Sequence, residues 1–526
     1  MNIILVRYKN PEVEDRCIKS IEQFTDLSKH TLTIFDNAQE NINLGKLWNR
    51  LIEESKDKVI CLLNSDTVVE EGWTRIEEAL SDNRVGAVGP LTNHCGTKQK
   101  SLDKNGQVEE INDLSGFCYV FRKSVWKEVG RFPEDMPFYG QESIFNRKLQ
   151  DRGYKLMVDR RVFVHHEKGA SYKKDVESGR KDDEAEWGAF HYYNYLDRLK
   201  ILRSIVNKDF KIVIIDGGRN NPFPLHQGLE QACDEFFGSN ALILRSEQCT
   251  PEWLDIFHPD LVLNCETKYH PDGFEFLKQA KRRGIKTAAY YNDMRCPETD
   301  AYNPSPEMRT DLTEYFDTIF LCNESHRACW ERATKVKTYY MPQGSIQHPK
   351  PVVGTKHHIL HIGSESRGTY HDNRSAILED LRRNIEVTTK NSAVRDERAK
   401  IQNASYGDYH ASDYSLSISM ETDKYTSDRL YTILGAGGCA LCYKPLRLEE
   451  IFKDGEHLLF FRTAEEALSI IKRTTEEKRN AIKSNAFRHA QKHHTYKMRL
   501  LNILQNIYTK DKTFHGDLNN LYQIGK

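Results

Sequence analysis

No apolar run in this 526-residue sequence approaches the roughly 18–20 residues needed to cross a bilayer, so no transmembrane segment is expected. Nor does a signal peptide show: the early run Ile3-Ile4-Leu5-Val6 is too short for one and reads as a first core strand. Together these absences predict a cytoplasmic protein. An excess of one charge sign is also lacking. Lys plus Arg number 76 and Asp plus Glu 77, a net charge of −1. That balance excludes a global field for gathering DNA or an anionic membrane, while leaving room for a local basic groove. The 12 cysteines are scattered, and only Cys439 and Cys442 form a C-x-x-C. A structural zinc site needs further ligands at suitable spacing, so buried free thiols in a reducing compartment are the expectation. No short-period repeat is visible.

What is present suits several folded domains. With 38% hydrophobic residues and 10% aromatics the chain can bury substantial cores, and its length points to two to four of them. Short apolar strands alternate with amphipathic helical stretches throughout, the pattern of α/β folds with largely parallel sheets. In a first block, residues 1–171, strands are expected at Asn2–Val6, Leu32–Phe35, Val59–Leu63 and Val85–Val88, with helices at Val13–Phe24 and Leu44–Glu54. Residues 172–208 read as a helical connector, charged over Lys173–Glu186 and studded with aromatics over Trp187–Val206, whose rings need a surface to cover. A second block, 209–345, restarts with Lys211–Ile215 running into Asp216-Gly217-Gly218. It continues with strands at Leu242–Leu244, Leu261–Asn264, Thr287–Tyr290 and Thr318–Cys322. A third block, 346–500, opens on Ile359-Leu360-His361-Ile362-Gly363-Ser364, again strand then glycine, and residues 501–526 form a helical tail. The second and third blocks look like two similar αβ halves.

The sharpest feature is Cys61-Leu62-Leu63-Asn64-Ser65-Asp66-Thr67, an apolar strand ending in polar and acidic residues. Open α/β sheets bind ligands at that edge, and a carboxylate there suits Mg²⁺ or Mn²⁺ bridging a diphosphate. Alone, an acidic residue after a strand is more often a turn former or helix cap. Its neighbours strengthen the reading. A second strand ends Ile34-Phe35-Asp36-Asn37, giving another carboxylate on the same edge, suited to a ribose or base. Further on come Leu114-Ser115-Gly116-Phe117, Phe138-Tyr139-Gly140-Gln141-Glu142-Ser143 and Val164-His165-His166-Glu167-Lys168-Gly169-Ala170-Ser171.

In this order and spacing the first block resembles the family 2 inverting glycosyltransferases, particularly the rhamnosyltransferase-like members. The resemblance implies a GT-A fold, a single Rossmann-like nucleotide-sugar unit. It sets Tyr8 and Asn10 after the first strand, Asp36 at the nucleoside, and Asn64-Ser65-Asp66 as the D-x-D motif with Asp66 on the metal. It further implies Gly116 in the acceptor-side loop, Glu142 as catalytic base, and His166 with Ser171 completing the metal site. Read by itself, His166 serves equally as a core or capping histidine, and His165 as an ordinary strand residue. Asn64 replaces the usual first Asp, Glu142 replaces the usual Asp base, and Asn43-x-Gly45 lies closer to Asn49 than in the common pattern.

Residues 209–500 resemble a GT-B glycosyltransferase, in which two Rossmann-like domains face a cleft. They are most similar to the spore-maturation-protein-like group related to retaining family 4. The resemblance rests on Pro259-Asp260-Leu261-Val262-Leu263, Arg283-Gly284-Ile285-Lys286-Thr287, Tyr290-Tyr291-Asn292-Asp293 and Phe316-Asp317-Thr318-Ile319-Phe320 with Met341-Pro342. In the donor half it rests on Ile362-Gly363-Ser364 with Arg374, and on the run from Ser427 through Asp428 and Arg429 to Gly437-Gly438. A helix starting near Ser427 directs free N–H groups at a phosphate, and Arg429 adds a charge-assisted contact. It is equally an ordinary αβ junction when taken alone. Family 4 carries paired glutamates here, whereas this chain has Asp428 and Ala436. On the acceptor side His226 and Asp293 are the candidates, and no cofactor is expected for this second site.

The reading is therefore an α/β chain, GT-A followed by GT-B. It transfers sugars from UDP-, dTDP- or GDP-linked donors to a glycan, lipid-carrier or protein hydroxyl, with Mn²⁺ or Mg²⁺ in the first site. One alternative keeps the GT-A enzyme and makes the GT-B part an acceptor-binding module. Another directs the chemistry at a modified nucleobase in DNA, as some phage enzymes of these folds do.

Overall fold

The computed structural model describes the chain apart from residues 105, 168–179, 217–222, 267–268, 293–295, 299–305, 352–353, 364–371, 392–404, 420–422 and 510–526, and the side chains of 180–183, 306 and 372–373. It is a mixed α/β protein in two units: Met1–Leu196 with Phe237–Ser239, and Asp197–Phe236 with everything from Asn240 on.

The first unit holds one eight-stranded sheet. Its strands are β1 (Asn2–Arg7), β2 (Thr31–Asp36), β3 (Val59–Asn64), β4 (Thr67–Val69), β5 (Val85–Leu91), β6 (Val108–Ile111), β7 (Cys118–Arg122) and β8 (Lys155–His166). The order is β2-β1-β3-β7-β5-β8-β4, with β6 on β8. β2, β1 and β3 run parallel in a Rossmann-like half, whereas β7 is antiparallel to β3 and β5. Successive side chains of a strand point to opposite faces, so a sheet covered on both sides needs apolar residues without alternation. β1 shows this: Ile4 packs with Leu47, Trp48, Leu51 and Ile52 of helix α2 (Leu44–Glu54). Ile3 and Leu5 pack with Cys17 and Ile21 of helix α1 (Pro11–Phe24) on the other face. Helices α3 (Lys123–Val129) and α4 (Gln141–Asp151) complete the unit, and helix α5 (Arg180–Ile205) carries the chain across the unit boundary.

The second unit contains two parallel sheets. One orders β10-β9-β11-β12-β13-β14, from β9 (Ile212–Ile215), β10 (Ala241–Leu244), β11 (Leu261–Asn264), β12 (Lys286–Tyr291), β13 (Thr318–Leu321) and β14 (Lys337–Tyr340). The other orders β16-β15-β17-β18-β19, from β15 (Ile359–Ile362), β16 (Thr388–Lys390), β17 (Tyr414–Ser417), β18 (Ala440–Tyr443) and β19 (Leu459–Phe461). Around them lie helices α6 (Pro224–Phe236), α7 (Glu252–Phe257), α8 (Pro271–Arg282), α9 (Arg327–Thr334), α10 (Asp372–Arg382), α11 (Tyr406–Ala411), α12 (Asp428–Gly435), α13 (Ala464–Arg473), α14 (Glu476–His493) and α15 (Tyr496–Tyr508).

The chain passes from one sheet to the other near Pro342–Ser345 and returns at His494–Tyr496, and these two crossings are bonded to each other. The Ser345 N–H donates to the His494 carbonyl at 2.8 Å, and the Tyr496 N–H to the Ser345 carbonyl at 2.9 Å. Arg499 is buried beneath them and donates to the carbonyls of Pro342 and Gln343, both at 2.9 Å. Helix α15 then packs on α6. There Glu235 forms buried ion pairs with Arg198 of α5, at 2.7 Å, and with Lys497 of α15.

The expectation of free thiols is corrected at one pair. Cys296 and Cys329 form a disulfide across a separation of 33 residues that spacing does not reveal, and ten cysteines are free. Cys439 and Cys442 lie buried in different core clusters, so their C-x-x-C is packing, and burial pushes the Cys439 thiol up to about 12. Among the described residues, no helix is long and apolar enough to cross a membrane.

Candidate functional site

In the first sheet three parallel strands stop at one level. Arg7 pairs with Asp36 and Val6 with Asn64, which brings Tyr8, Asp36, Asn64 and Asp66 to one carboxyl-terminal edge. This is also where the strand order reverses about β1, the place where open α/β sheets bind ligands. Buried Glu14 fastens the turn after β1, accepting from the Tyr8 N–H at 2.6 Å and from Arg7 Nε at 2.9 Å. The Tyr8 ring is half-buried with Lys9 Nζ 4.8 Å above it, and Asp36 is exposed.

Asp66 precedes β4, which pairs antiparallel with β8 and sets Thr67 opposite His166. His166 Nε2 lies 3.3 Å from Asp66 Oδ1. The other ring nitrogen, Nδ1, is 2.9 Å from the His94 carbonyl, which only accepts, so Nδ1 carries the hydrogen. In the neutral ring Nε2 therefore turns a lone pair toward a carboxylate oxygen. Two acceptors facing each other need a proton or a cation between them, and a carbonyl fixing the remote N–H is the usual support of a metal-binding imidazole. The donor set thus fits a divalent cation. Phe117 stacks on the ring with centroids 5.2 Å apart and planes 18° from parallel. Burial lowers the His166 pKa, but the Asp66 hydrogen bond and charge, aided by the His94 carbonyl, outweigh it and leave it raised. His165 points the other way along the strand and is exposed.

Glu142 stands in the first turn of α4. Gly140 before it has φ +101°, a conformation that side-chain-bearing residues rarely adopt. Gly116 faces the carboxylate: a Cβ built there would lie 3.3 Å from both Cγ and Cδ of Glu142. Gly116 and Phe117 are adjacent, so one short loop touches the carboxylate and the His166–Asp66 pair. Desolvation, seconded by the charge of Asp113, raises the Glu142 pKa. Asp113 is held by Asn146, whose Nδ2 donates to Asp113 Oδ1 at 2.6 Å and to the Leu114 carbonyl at 2.8 Å, while Tyr119 donates to Asn146 Oδ1 at 2.6 Å. Sequence reasoning missed Asp113 and Asn146. The signal was available, because Asn146 lies four residues after Glu142 and hence on the same helix face.

Asn43, Gly45 and Asn49 are placed elsewhere, as a clamp on the loop before α4. Asn49 Nδ2 donates to the Phe132 carbonyl at 2.8 Å and its Oδ1 accepts from the Phe132 N–H at 3.0 Å. Asn43 donates to the Met136 carbonyl at 2.7 Å, and a Cβ on Gly45 would meet the Pro133 carbonyl oxygen at 2.2 Å.

In the second unit Gly363 and Arg429 meet at the end of β15. Gly363 has φ +141°, and a Cβ there would strike Arg429 Nη2 at 2.1 Å. Arg429 donates from Nε to the Ile362 carbonyl at 2.6 Å, and Arg374 from Nε to the Ile418 carbonyl at 3.0 Å, so both arginines brace strand ends. His361 is buried near them and its pKa is pressed well below the usual value, first by burial and then by the two guanidinium charges. Asp428 opens α12 after the cap residue Ser427, whose N–H donates to Ser419 Oγ at 3.1 Å. Gly437 lies past the opposite end of that helix, and its carbonyl is 2.7 Å from His410 Nδ1. On the other sheet His226 meets buried Asp216 through Nδ1. Asp293 and Ser171 lie outside the described residues. Among the described residues the only tight trio of metal-binding side chains is Cys296, Glu298 and Cys329, and its two sulfurs are bonded to each other.

Comparison with known proteins bears on part of this chain. No curated protein matches the sequence. Solved structures that match include GalNAc-T7 with UDP, GalNAc and Mn²⁺, at 12% identity over 31% of this chain and 42% of that one, with a TM-score of 0.28. They also include S. aureus TarS, at 13% identity over 31% of this chain and 36% of that one, with a TM-score of 0.25. The chain thus spans less than half the length of either. Residues 374–505 match the model of the family described as "Glycosyl transferase-like", a stretch that contains Arg374, Asp428, Arg429 and Gly437. The second unit therefore carries a glycosyl transferase-like domain.

Proposed function

We propose that the chain is a bifunctional glycosyltransferase: a metal-dependent, inverting GT-A enzyme in the first unit and a GT-B enzyme in the second. The observation that carries the first half is the loop Gly116-Phe117, which touches Glu142 at one residue and the His166–Asp66 pair at the next. An inverting transfer needs those two functions side by side. Glu142 takes the proton of an acceptor hydroxyl, whose oxygen attacks the anomeric carbon of the donor sugar as the bond to the diphosphate breaks. A raised carboxyl pKa suits this work, because it makes the ionised form a stronger base. Asp66 and His166, with Asn64 at the end of β3, would hold Mn²⁺ or Mg²⁺. When bound, that cation supplies charge neutralisation for the departing diphosphate. Tyr8 and Asp36 line the nucleoside side of the edge.

In the second unit the start of α12 offers N–H groups to a donor diphosphate. The donors are UDP-, dTDP- or GDP-linked sugars, and the acceptor is a glycan or similar hydroxyl compound. Joining two transferases raises the effective concentration of the first product at the second site. Free nucleotide released from UDP-, dTDP- and GDP-linked hexoses, measured with Mn²⁺, Mg²⁺ or EDTA, tests the proposal. Consumption of two donors, one only with metal, is expected. Release that ignores EDTA throughout, or none from any donor, contradicts it.

A further inference from the structure

The geometry points to Asp216 and His226 as the general base of the second unit, making its transfer an inverting one onto a sugar hydroxyl. This rests on the reading of that unit as a nucleotide-sugar enzyme and adds its acid–base machinery and stereochemistry.

Asp216 directly follows β9, the first strand of its sheet, and β9 lies between β10 and β11 where the strand order reverses. In open parallel sheets that edge is where ligands lodge. Asp216 is only 1% exposed, and a carboxylate that deep must be paired. Its partner is Nδ1 of His226, the third residue of α6. A carboxylate on Nδ1 fixes the tautomer and leaves the Nε2 lone pair as the basic site. The His226 side chain keeps 14% of its surface accessible.

Tyr496 is fully buried, and the groups around its hydroxyl include Asn292, which follows β12 on the same sheet edge as Asp216, and Asp428, the first residue of α12. Just before α12, the Asp423 N–H donates to Ser325 Oγ, a residue beyond the end of β13, at 2.9 Å. Tyr340 of β14 donates to the Lys424 carbonyl at 2.8 Å. The carboxyl edge of the His226 sheet thus abuts the start of α12. A nucleotide sugar with its diphosphate on α12 presents its anomeric carbon toward that edge.

The step balances without a co-reactant. Nε2 of His226 accepts the acceptor's hydroxyl proton, and the freed oxygen pair forms the bond to the anomeric carbon. The bond from that carbon to the diphosphate oxygen breaks, and the nucleoside diphosphate leaves with the electron pair. Asp216 stabilises the imidazolium that results. A single displacement inverts the anomeric centre, and it needs no counterpart to the paired glutamates that Asp428 and Ala436 fail to supply.

The test uses the full chain carrying D66A and E142Q in the presence of EDTA, so that donor binding and donor consumption both read the second unit. Nucleotide release and donor binding are measured with UDP-, dTDP- and GDP-linked hexoses, and product configuration is read by NMR. Adding H226Q is expected to cut turnover by about 100-fold or more while the donor Kd stays within about threefold, and D216N by about 10-fold or more. H226A is expected to regain turnover with added imidazole, which a merely structural histidine would not do. An inverted product completes the expected result. Turnover that survives H226Q, or a retained configuration, overturns the dyad alone. Failure of the D66A/E142Q chain to bind any donor overturns the underlying reading of the second unit as well.

Discussion

Gly116 and Glu142 stand so close that a Cβ on the glycine would lie 3.3 Å from Cγ and Cδ of the carboxylate. Nothing about the Gly116 backbone itself demands glycine, since its φ lies outside the left-handed range. Its small size serves Glu142. Gly116→Ala is therefore expected to displace the carboxylate and lower kcat by about 10–100-fold, with little change in melting temperature. Steady-state kinetics beside a thermal melt checks this, and wild-type kcat in the variant would count against Glu142 as base.

The pH dependence of the first activity has a definite sign. Glu142 must be ionised to accept a proton, and its pKa is raised above the ordinary 4.5, first by burial and then by Asp113. Activity should fall as pH drops through that raised value, so the acid limb of kcat/KM lies above 4.5. Asp113→Asn removes one repelling charge, and the limb should move to lower pH. A limb that stays in place would show that Asp113 does not tune the base.

Asp66 faces His166 across 3.3 Å in an arrangement of acceptors that a cation would satisfy. Asp66→Ala should weaken Mn²⁺ binding by calorimetry about 100-fold and abolish metal-stimulated nucleotide release, leaving the fold intact. Unchanged Mn²⁺ affinity would remove Asp66 from the metal site.

Stability of the second unit should depend on Glu235, a carboxylate buried between Arg198 and Lys497 on three different helices. Burial works to raise its pKa, but the two cations prevail and hold it down at about 2. A depressed carboxylate pKa gives stability that is full above the unfolded value of 4.5 and lost as pH falls from there toward 2. Glu235→Ala strands two buried cations and should cost about 3–5 kcal/mol. A denaturant melt at neutral pH showing less than about 1 kcal/mol would contradict that role.

The sheet edges were legible because their signal is local. An apolar strand ending in Asn64-Ser65-Asp66, or in Ile34-Phe35-Asp36, announces both the strand and what stands at its end. β6 was not legible, since Val-Glu-Glu-Ile offers too few apolar residues to show alternation, and only its pairing with β8 makes it a strand. At α5 the helix begins at Arg180, inside the charged part of the expected helical connector and ahead of its aromatics at Trp187. Residues whose meaning depends on distant partners stayed hidden. Asn49 stands out in the sequence only for its spacing from Asn43-x-Gly45, yet its bonds go to Phe132, 83 residues away. His226 could be suspected from its place after a strand and a glycine turn, but nothing in the spacing shows that Asp216 meets its ring.

Donor turnover by Glu142→Gln, measured under single-turnover conditions with Mn²⁺ and the donor that requires it, tests the central claim most directly. Gln keeps the shape of the side chain and cannot take a proton, so binding of the donor should persist while transfer falls by about 100-fold or more. Transfer at the wild-type rate in that variant would contradict the account of the first site.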